Sequence, residues 1–349
     1  MKKTVLITGI TGQDGSLLAD LMLKRGYKVT GVIRRNSSSN LGNAKHLESE
    51  VELIEGDLQD LSSLYRIQKS TRPDYFINCA AQSHVGTSFD QPLYTSMVTG
   101  IGVINCLEAI RMSGYHTKFL QLSSSEMFGG RSQEALNESS PLAPRSPYAT
   151  AKCFGHWATI NYRETYKMFA SNAISFNHEA PGRRGPNFVT RKITLAIASI
   201  TMGESEHLYL GNIDAKRDWG YAEDYCKGFI SALEHTEPDD FVFATGEAHS
   251  VAEFCKVAFA HAGLGDYKKY VKIDPTLYRP NDVPSLVGDY GKAKEVLNWS
   301  PEINFEGLVK RMVNADLKDK IELERTLIPP DVTDNRSDVT SKYSESNLS

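Results

Sequence analysis

The stretch Thr4-Val5-Leu6-Ile7-Thr8-Gly9-Ile10-Thr11-Gly12-Gln13-Asp14-Gly15 decides the fold. Its first five residues are apolar or β-branched, which is typical of a buried strand, and the segment after the glycines has helical periodicity. Glycines at this spacing permit a tight turn and let backbone N–H groups approach a pyrophosphate at the helix N-terminus. The stretch therefore predicts a dinucleotide site comprising Gly9, Thr11, Gly12, Gln13, Asp14 and Gly15. The alternative is a glycine-rich turn that binds no ligand.

The segments that follow continue the same rhythm of strand and helix. Predicted strands lie at Lys28–Ile33, Val51–Glu55, Tyr75–Cys79 and Lys118–Ser123, and helical patterns at Ser16–Arg25, Leu61–Lys69 and Leu93–Ser113. Strands that alternate with helices through short connections form a parallel sheet with helices on both faces. The sequence thus predicts an α/β protein with a doubly wound parallel sheet of the Rossmann type.

The rhythm changes after about Asn177, where glycine, proline and arginine become frequent. One more strand is predicted, at Asp240–Ala244. We expect a Rossmann domain formed by 1–177 and about 212–248, and a smaller, discontinuous substrate-binding domain formed by about 178–211 and 249–325. The polar stretch 326–349 is predicted to be a mobile tail.

Composition excludes several classes of function. The 349 residues include 43 acidic and 39 basic ones, a net charge of -4, which gives no reason to expect a nucleic-acid or membrane surface. No segment approaches the ~20 apolar residues of a membrane helix. Five scattered cysteines without a C-x-x-C pair argue against a metal site and favour a reducing compartment, so a cytoplasmic protein is expected.

The residues that follow the second, third and fourth strands extend the nucleotide site. An NAD site usually has an acidic residue after the second strand, whereas this chain has Arg34, Arg35, Asn36 and Ser37. Guanidinium groups and hydroxyls suit a 2′-phosphate, so NADP is the predicted cofactor; the alternative is a solvated basic turn. The remaining candidates for this site, each also compatible with an ordinary loop, are Asp57, Leu58, Cys79, Ala80, Ala81, Gln82 and Ser83.

Tyr148 and Lys152 are four residues apart at the start of a predicted helix, so they share one face. A lysine ammonium lowers the pKa of a neighbouring tyrosine, and the phenolate can then take a proton from a sugar hydroxyl while hydride leaves the same carbon. Ser124, at the end of the fifth strand, offers a hydroxyl that can bond the reacting oxygen. Alone, this pair would be an ordinary surface pair; behind a Rossmann glycine turn it predicts a dehydrogenase-type site.

Glu126 follows the same strand and adds a different chemistry. A simple dehydrogenase or 4-epimerase needs no carboxylate there, but a dehydratase does, because a C4 ketone acidifies the C5 proton and a base can remove it as C6 loses water. The alternative is a glutamate that caps the next turn. Glu126 thus favours dehydration.

Over roughly Lys3 to Leu317 the sequence resembles the extended short-chain dehydrogenases/reductases, and among them the GDP-mannose 4,6-dehydratases. The resemblance is carried by the glycine turn, Arg34–Ser39, Ala81–Val85, Ser125-Glu126, Pro144–Tyr148, Phe176–Glu179, Asn187–Lys192, Gly211-Asn212, Ala215–Trp219 and Tyr278–Pro280.

This resemblance implies roles for particular residues. Glu126 would be the C5 base and C6 acid, Tyr148 the C4 base and Lys152 its partner and ribose ligand. Further cofactor contacts would come from Tyr94, His178 and Arg184; substrate contacts would come from Ser83, Ser124, Asn177, Lys192, Gly211, Arg217 and Arg279. Read without the family, His178 is equally compatible with a hydrogen-bonded core histidine, and each cation with a surface charge.

Three departures from the family pattern stand out. Ser124 occupies a position that usually holds threonine, the loop Pro181–Gly185 is one residue longer, and Asn281-Asp282 replaces the usual Thr-Glu. The implied reaction converts a GDP-sugar to a 4-keto-6-deoxy product in a homodimer or homotetramer. Open alternatives are a related GDP-sugar such as GDP-manno-heptose, a 4-reductase or 4-epimerase, and a non-catalytic NADP-binding regulator.

Overall fold

The computed structural model describes residues 2–35, 40–130, 134–278, 283 and 285–327. The strands are β1 Thr4–Thr8, β2 Lys28–Ile33, β3 Glu52–Glu55, β4 Tyr75–Asn78, β5 Lys118–Ser124, β6 Ala170–Ser175, β7 Asn177–Glu179, β8 Leu208–Leu210, β9 Lys216–Arg217, β10 Trp219–Tyr221, β11 Asp240–Phe243, β12 His249–Ser250, β13 Val271–Ile273 and β14 Ser285–Leu286. The helices are α1 Gln13–Lys24, α2 Leu61–Thr71, α3 Val85–Asp90, α4 Pro92–Ser96, α5 Gly102–Ser113, α6 Pro147–Tyr166, α7 Val189–Thr201, α8 Ala222–Glu234, α9 Val251–His261, α10 Gly291–Leu297 and α11 Phe305–Leu327.

The main sheet has seven strands in the order β11-β6-β5-β4-β1-β2-β3. Every neighbouring pair is parallel. The strand order reverses direction between β1 and β4, so the carboxyl ends of these two strands flank a crevice where ligands bind in such sheets. The predicted α/β Rossmann fold is confirmed.

Helices cover both faces of this sheet because its strands are apolar on both sides. Leu6, Phe76 and Phe119 pack on α2 and α5 through Leu64, Ile67 and Leu107, all of them fully or almost fully buried. On the other face α8 packs against β5, β6 and α1. Burial on both faces is the usual condition of a parallel sheet, and it fixes the strand ends on which the site is built.

Among the described residues, one continuous helical segment, Pro92–Ser113, is long and apolar enough by length and composition alone to cross a membrane. No such stretch was predicted from the sequence, because serine, threonine and asparagine residues lie among the apolar ones in this segment. Half of the segment's most apolar window is buried within the protein, and α5 packs against α2 and α6. Core helices meet the same criteria, so packing explains the apolar residues.

The chain divides into two compact units: 1–178, 216–248 and 279–303 form the first, and 179–215, 249–278 and 304–349 the second. The sequence predicts that all of 249–325 belongs to the smaller domain, whereas 279–303 lies in the first unit. In this segment β14 pairs with β9, and the Trp299 ring packs edge-on against Phe243 at 4.9 Å. In the second unit, helices α7, α9 and α11 pack together and β8 pairs with β13. From residue 328 the predicted tail lies outside the described residues.

One strand of the main sheet was not predicted. β6 reads Ala-Ser-Asn-Ala-Ile-Ser, which has neither an apolar run nor a clear alternation, yet all six residues are buried. Its polar side chains have buried partners: Asn172 Nδ2, for example, donates to Asp240 Oδ1 over 2.9 Å. Small polar residues satisfied inside a core are invisible to a pattern based on hydrophobicity.

Candidate active site

The glycine turn lies between β1 and α1, and two of its glycines are required by close backbone contacts. Gly9 has φ +67°, and a Cβ there would lie 2.8 Å from the Cα of Ala80. A Cβ on Gly15 would lie 2.3 Å from the Gly9 carbonyl oxygen. Gly12 is the N-cap of α1 and has no side chain to cover the first N–H groups of that helix. A bare helix N-terminus of this kind fits a pyrophosphate.

Gln13 and Asp14 connect this turn to β7, which follows β6. Gln13 Nε2 donates to Asp14 Oδ1 over 2.9 Å and to the His178 carbonyl over 3.0 Å. The Asp14 carboxylate lies 3.1 Å from His178 Nε2, and the His178 ring stacks on Tyr225 at 4.8 Å. This geometry corresponds to the hydrogen-bonded core histidine that the sequence analysis left open, and the predicted cofactor contact of His178 stays a prediction.

The predicted residues at the second strand end lie only partly within the described residues. The Arg34 guanidinium donates a hydrogen bond to the hydroxyl of Tyr94, on α4, so two predicted cofactor residues contact each other. Arg35 is exposed. Asn36 and Ser37 are outside the described residues.

Loop contacts hold the candidates after β3 and β4. Leu58 is buried, and its carbonyl accepts from Asn105 Nδ2 over 2.6 Å. Gln82 Nε2 donates to Thr95 Oγ1 over 3.0 Å. Burial raises the pKa of the Cys79 thiol well above its usual value, which keeps the thiol neutral. Of the other candidates at the same edge of the sheet, Thr11, Asp57, Ala80 and Ala81 are half-buried, and Ser83 is exposed.

Tyr148 and Lys152 lie in the first turns of α6, which Ser146 caps by accepting from the N–H of Ala149. Both side chains are buried, and Lys152 Nζ lies 5.8 Å from the centroid of the Tyr148 ring. Lys152 Nζ donates to the Leu122 carbonyl of β5 over 2.6 Å. Burial lowers the pKa of Lys152 to about 8, although Cys79 and Asp14 act in the opposite direction.

The end of β5 carries Ser124 and Glu126. The N–H of Glu126 donates to Ser124 Oγ over 3.2 Å and starts a short 3₁₀ turn, Ser125–Phe128. Glu126 Oε1 lies 3.9 Å from Arg217 Nε, and both side chains are mostly buried. Arg217 NH1 donates to the Val283 carbonyl over 2.7 Å. The carboxylate is therefore held beside a cation, and Ser124, not Glu126, supplies the side-chain cap of the turn.

The remaining predicted substrate and cofactor residues lie apart from these strand ends in the sequence. In the second unit, Arg184 Nε lies 2.9 Å from Glu179 Oε2, and its guanidinium stacks 3.6 Å above the Phe188 ring. Lys192 is half-buried in the first turn of α7. A Cβ on Gly211 would lie 2.8 Å from the Leu277 carbonyl.

In the first unit, Asn177 starts β7 and is half-buried. Arg279, predicted to bind the diphosphate, is outside the described residues. No group of three or more His, Cys, Asp or Glu side chains within the described ranges is arranged to hold a metal ion.

Three polar residues beneath the site were not predicted from the sequence: Thr8, Asn78 and Gln121. All three are buried and hydrogen-bond one another in a row; Thr8 and Asn78 end β1 and β4, and Gln121 lies in the middle of β5. The signal was present, since an asparagine ends the apolar run Tyr-Phe-Ile of β4 and a glutamine interrupts that of β5.

Comparison with known proteins places this geometry in a family. Residues 6–312 match the GDP-mannose 4,6 dehydratase family. The chain is 47% identical to GDP-mannose 4,6 dehydratase 1 of Arabidopsis thaliana over 91% of its own length and 90% of that protein. It is 44% identical to the human GDP-mannose 4,6 dehydratase over 93% of both chains.

Among solved structures, a UDP-glucose 4-epimerase from Thermotoga maritima superposes with a TM-score of 0.79 at 25% identity, covering 93% of this chain and 100% of that one. The fold is thus shared with an epimerase, whereas the family model and both relatives named above, matched over about nine-tenths of this chain, are GDP-mannose 4,6-dehydratases. The chain belongs to the GDP-mannose 4,6-dehydratase family.

Proposed function

We propose that this chain is an NADP-dependent hydro-lyase that converts GDP-D-mannose to GDP-4-keto-6-deoxy-D-mannose and water. Family membership supports the reaction. The observation that carries it within the site is Glu126, a mostly buried carboxylate that follows the same strand whose Leu122 carbonyl holds Lys152. A dehydratase needs this second base, and a dehydrogenase does not.

The residues of the site then divide the proton transfers between them. Tyr148, as a phenolate beside the Lys152 ammonium, accepts the proton of the C4 hydroxyl, and Ser124 donates a hydrogen bond to the C4 oxygen. A nicotinamide cofactor, when bound, supplies the hydride acceptor at C4 and the hydride that returns to C6. Glu126 removes the C5 proton and gives it to the C6 hydroxyl, which departs as water. When hydride has returned to C6, C5 takes up a proton in place of the one it lost, and Tyr148 releases the proton that it took from the C4 hydroxyl, so protons and electrons balance over the cycle.

Several features of the chain support a nicotinamide cofactor, and Arg34 and Arg35 favour NADP. The glycine turn fits a pyrophosphate because its N-cap, Gly12, has no side chain over the first N–H groups of α1, and because the tight backbone of the turn leaves no room for a Cβ at Gly9 or Gly15. Two cations without an acidic residue at the end of β2 suit a 2′-phosphate. Arg35→Asp should weaken NADP binding relative to NAD in a titration of cofactor-free protein, and an unchanged ratio of the two affinities would contradict the preference.

Exposed apolar side chains on α4, α6 and the π turn Met97–Ile101 support a homo-oligomer. Leu93 is 81% exposed, Trp157 58%, Phe154 45% and Met97 43%. Phe154 lies beside Gly100, so the helices that carry these residues adjoin. We assign this patch to contact with a second copy, since the resemblance implies dimers or tetramers; Trp157→Glu should then lower the mass found by sedimentation.

The five free cysteines agree with the cytoplasmic location proposed here.

A single experiment separates dehydration from the other reactions of this superfamily. Incubation with GDP-mannose in D₂O, followed by mass spectrometry, should give a product that has lost one water and gained solvent deuterium at C5. A 4-epimerase or 4-reductase product would retain all its oxygen atoms, and a regulator would give no product. A higher kcat/KM with GDP-manno-heptose than with GDP-mannose would move the assignment to that substrate.

The role of Glu126 is tested by Glu126→Gln, which keeps the shape and removes the base. Product formation should fall by about 10²-fold or more, with cofactor binding retained. Glu138→Gln is a matched control, because Glu138 is another half-buried glutamate of the first unit, which accepts from the Val242 N–H. Equal loss of activity in both variants, or loss of cofactor from Glu126→Gln, would show a structural role instead.

A further inference from the structure

A row of buried hydrogen bonds crosses three strands of the sheet directly beneath the site. The Thr8 hydroxyl donates to Asn78 Oδ1 over 2.6 Å, and Asn78 Nδ2 donates to Gln121 Oε1 over 2.7 Å. Gln121 Nε2 donates to the Leu122 carbonyl over 2.8 Å. Lys152 Nζ donates to this same carbonyl oxygen over 2.6 Å.

The direction of each bond is determined by the chemistry of the groups. An ammonium has only donors, so Lys152 needs the carbonyl as acceptor, and Gln121 must then face it with its NH₂ group. This orientation leaves Gln121 Oε1 to accept from Asn78, whose own oxygen is left to accept from Thr8. Exposure of Thr8, Asn78 and Gln121 is between 0% and 1%, so water does not compete for these bonds.

We propose that Thr8, Asn78 and Gln121 are positioning residues that fix the Leu122 carbonyl, and through it the ammonium of Lys152 beside Tyr148. The proposal rests on the roles of Tyr148 and Lys152 given under Proposed function. A lysine has four rotatable bonds, and a carbonyl whose own direction is fixed by a second donor restricts where its ammonium can lie. The row also reaches the cofactor loop, since the N–H of Ala80 donates to Thr8 Oγ1 over 3.3 Å.

The charged and titratable groups around Lys152 define the expected consequence. Asp14 at the start of α1 and the Cys79 thiol after β4 act on it from neighbouring elements, and Tyr148 lies on its own helix. If Gln121 no longer holds the carbonyl, the ammonium is less well placed to favour the Tyr148 phenolate, and a higher pH is needed to deprotonate the tyrosine.

Gln121→Met is the direct test, because methionine has a similar length and neither donates nor accepts these bonds. At saturating substrate and cofactor, we expect kcat at neutral pH to fall about tenfold and the acid limb of the kcat–pH profile to move up by about one unit. The KM for GDP-mannose should stay unchanged, because the row does not touch the substrate.

Gln68→Met is the matched control. Gln68 is an equally buried glutamine of the first unit, whose Nε2 donates to Thr117 Oγ1 over 2.7 Å just before β5 begins, at the opposite edge of the sheet. Both variants should lose stability, but only Gln121→Met should shift the pH profile. The same profile in wild type and Gln121→Met, or the same shift in both variants, would overturn the proposal.

Thr8→Val provides a second variant that keeps the shape of the core and removes the hydroxyl at the far end of the row, which donates to Asn78 and accepts from the Ala80 N–H. We expect the acid limb of its kcat–pH profile to move in the same direction by a smaller amount. If Gln121→Met does not fold, Thr8→Val becomes the test, and an unmoved acid limb in Thr8→Val would overturn the proposal. Tyr148→Phe and Lys152→Met test the proposed active site separately from the proposed role of Thr8, Asn78 and Gln121. Retained activity in those variants would refute the proposed site itself, whereas loss of activity there with an unmoved profile in Gln121→Met refutes only the positioning row.

Discussion

Two buried charged regions of the first unit differ in how completely their charges are matched. Near β11, Arg163 binds Asp240 through two bonds of 2.9 and 3.0 Å, and Asn172 Nδ2 also donates to the carboxylate. At the end of β5, the hydrogen bond of Lys152 goes to a neutral carbonyl, and Glu126 faces Arg217 at 3.9 Å.

The pKa directions follow from this difference. Burial raises the pKa of Asp240, but its bonds with Arg163 outweigh burial and leave the pKa below the usual value. At Lys152, burial prevails and lowers the pKa to about 8. Asp240, a buried ion whose charge is matched by Arg163, is typical of a structural ion pair. Lys152, a buried ion with no opposite charge in contact, is typical of an active site, where bound ligands supply the missing partners.

The largest effect should come from removing the Lys152 ammonium. Lys152→Met should lower kcat by about 10²-fold or more, because the Tyr148 phenolate loses its neighbouring cation. Lys118→Met is the matched control at the other end of β5: Lys118 Nζ also donates to a carbonyl, that of His235, over 2.6 Å, and burial also lowers its pKa. Steady-state product formation should distinguish them; a similar loss in both would place Lys152 outside the chemistry.

The second effect concerns stability at alkaline pH. The pKa of Lys152 is lowered from 10.5 to about 8 in the folded protein, so between these values the unfolded chain binds more protons and the free energy of unfolding rises with pH. Below pH 8 the folded state carries the full cost of the buried ammonium, about 3 kcal/mol by the usual conversion. Urea unfolding of cofactor-free wild type and Lys152→Met between pH 7.5 and 10.5 should show this rise only in the wild type. Parallel curves would mean that the ammonium is well solvated in the fold.

Much of the fold and part of the site could be predicted from the sequence, for a physical reason. The strand Thr4–Thr8 and the glycine turn after it depend on local requirements, a buried apolar run and backbone without Cβ atoms, which residue types report directly. The strand ends of a parallel sheet lie at one edge, so Ser124 and the residues after β3 and β4 could be grouped without coordinates.

The parts of the fold and site that could not be predicted depend on side-chain contacts between residues that are distant in the sequence. Asp240 lies 77 residues from Arg163, and Gln121 lies 43 from Asn78. Polar residues at such positions resemble interruptions of a strand until their partners are known, which is why β6 was missed. The contact between Arg217 and Glu126 could not be predicted for the same reason. From the sequence, Arg217 is a cation that could bind a diphosphate, and nothing shows that Glu126 lies next to it.

The smallest effect on activity should come from breaking the ion pair between Arg163 and Asp240, which we expect to change stability alone. Asp240→Asn keeps the shape and removes the charge, so Arg163 is left partly buried without its anion, at a cost of about 1–3 kcal/mol. Since the folded pKa of Asp240 lies below its unfolded value, the stabilisation is present above the unfolded pKa and is lost as pH falls through the folded one. The difference between wild type and Asp240→Asn in urea unfolding should therefore be full at pH 7 and shrink below about pH 4, while kcat per folded molecule stays unchanged. A change in kcat or in its pH profile would show that charge matching near β11 is coupled to the strand ends, and the contrast between the two regions would no longer hold.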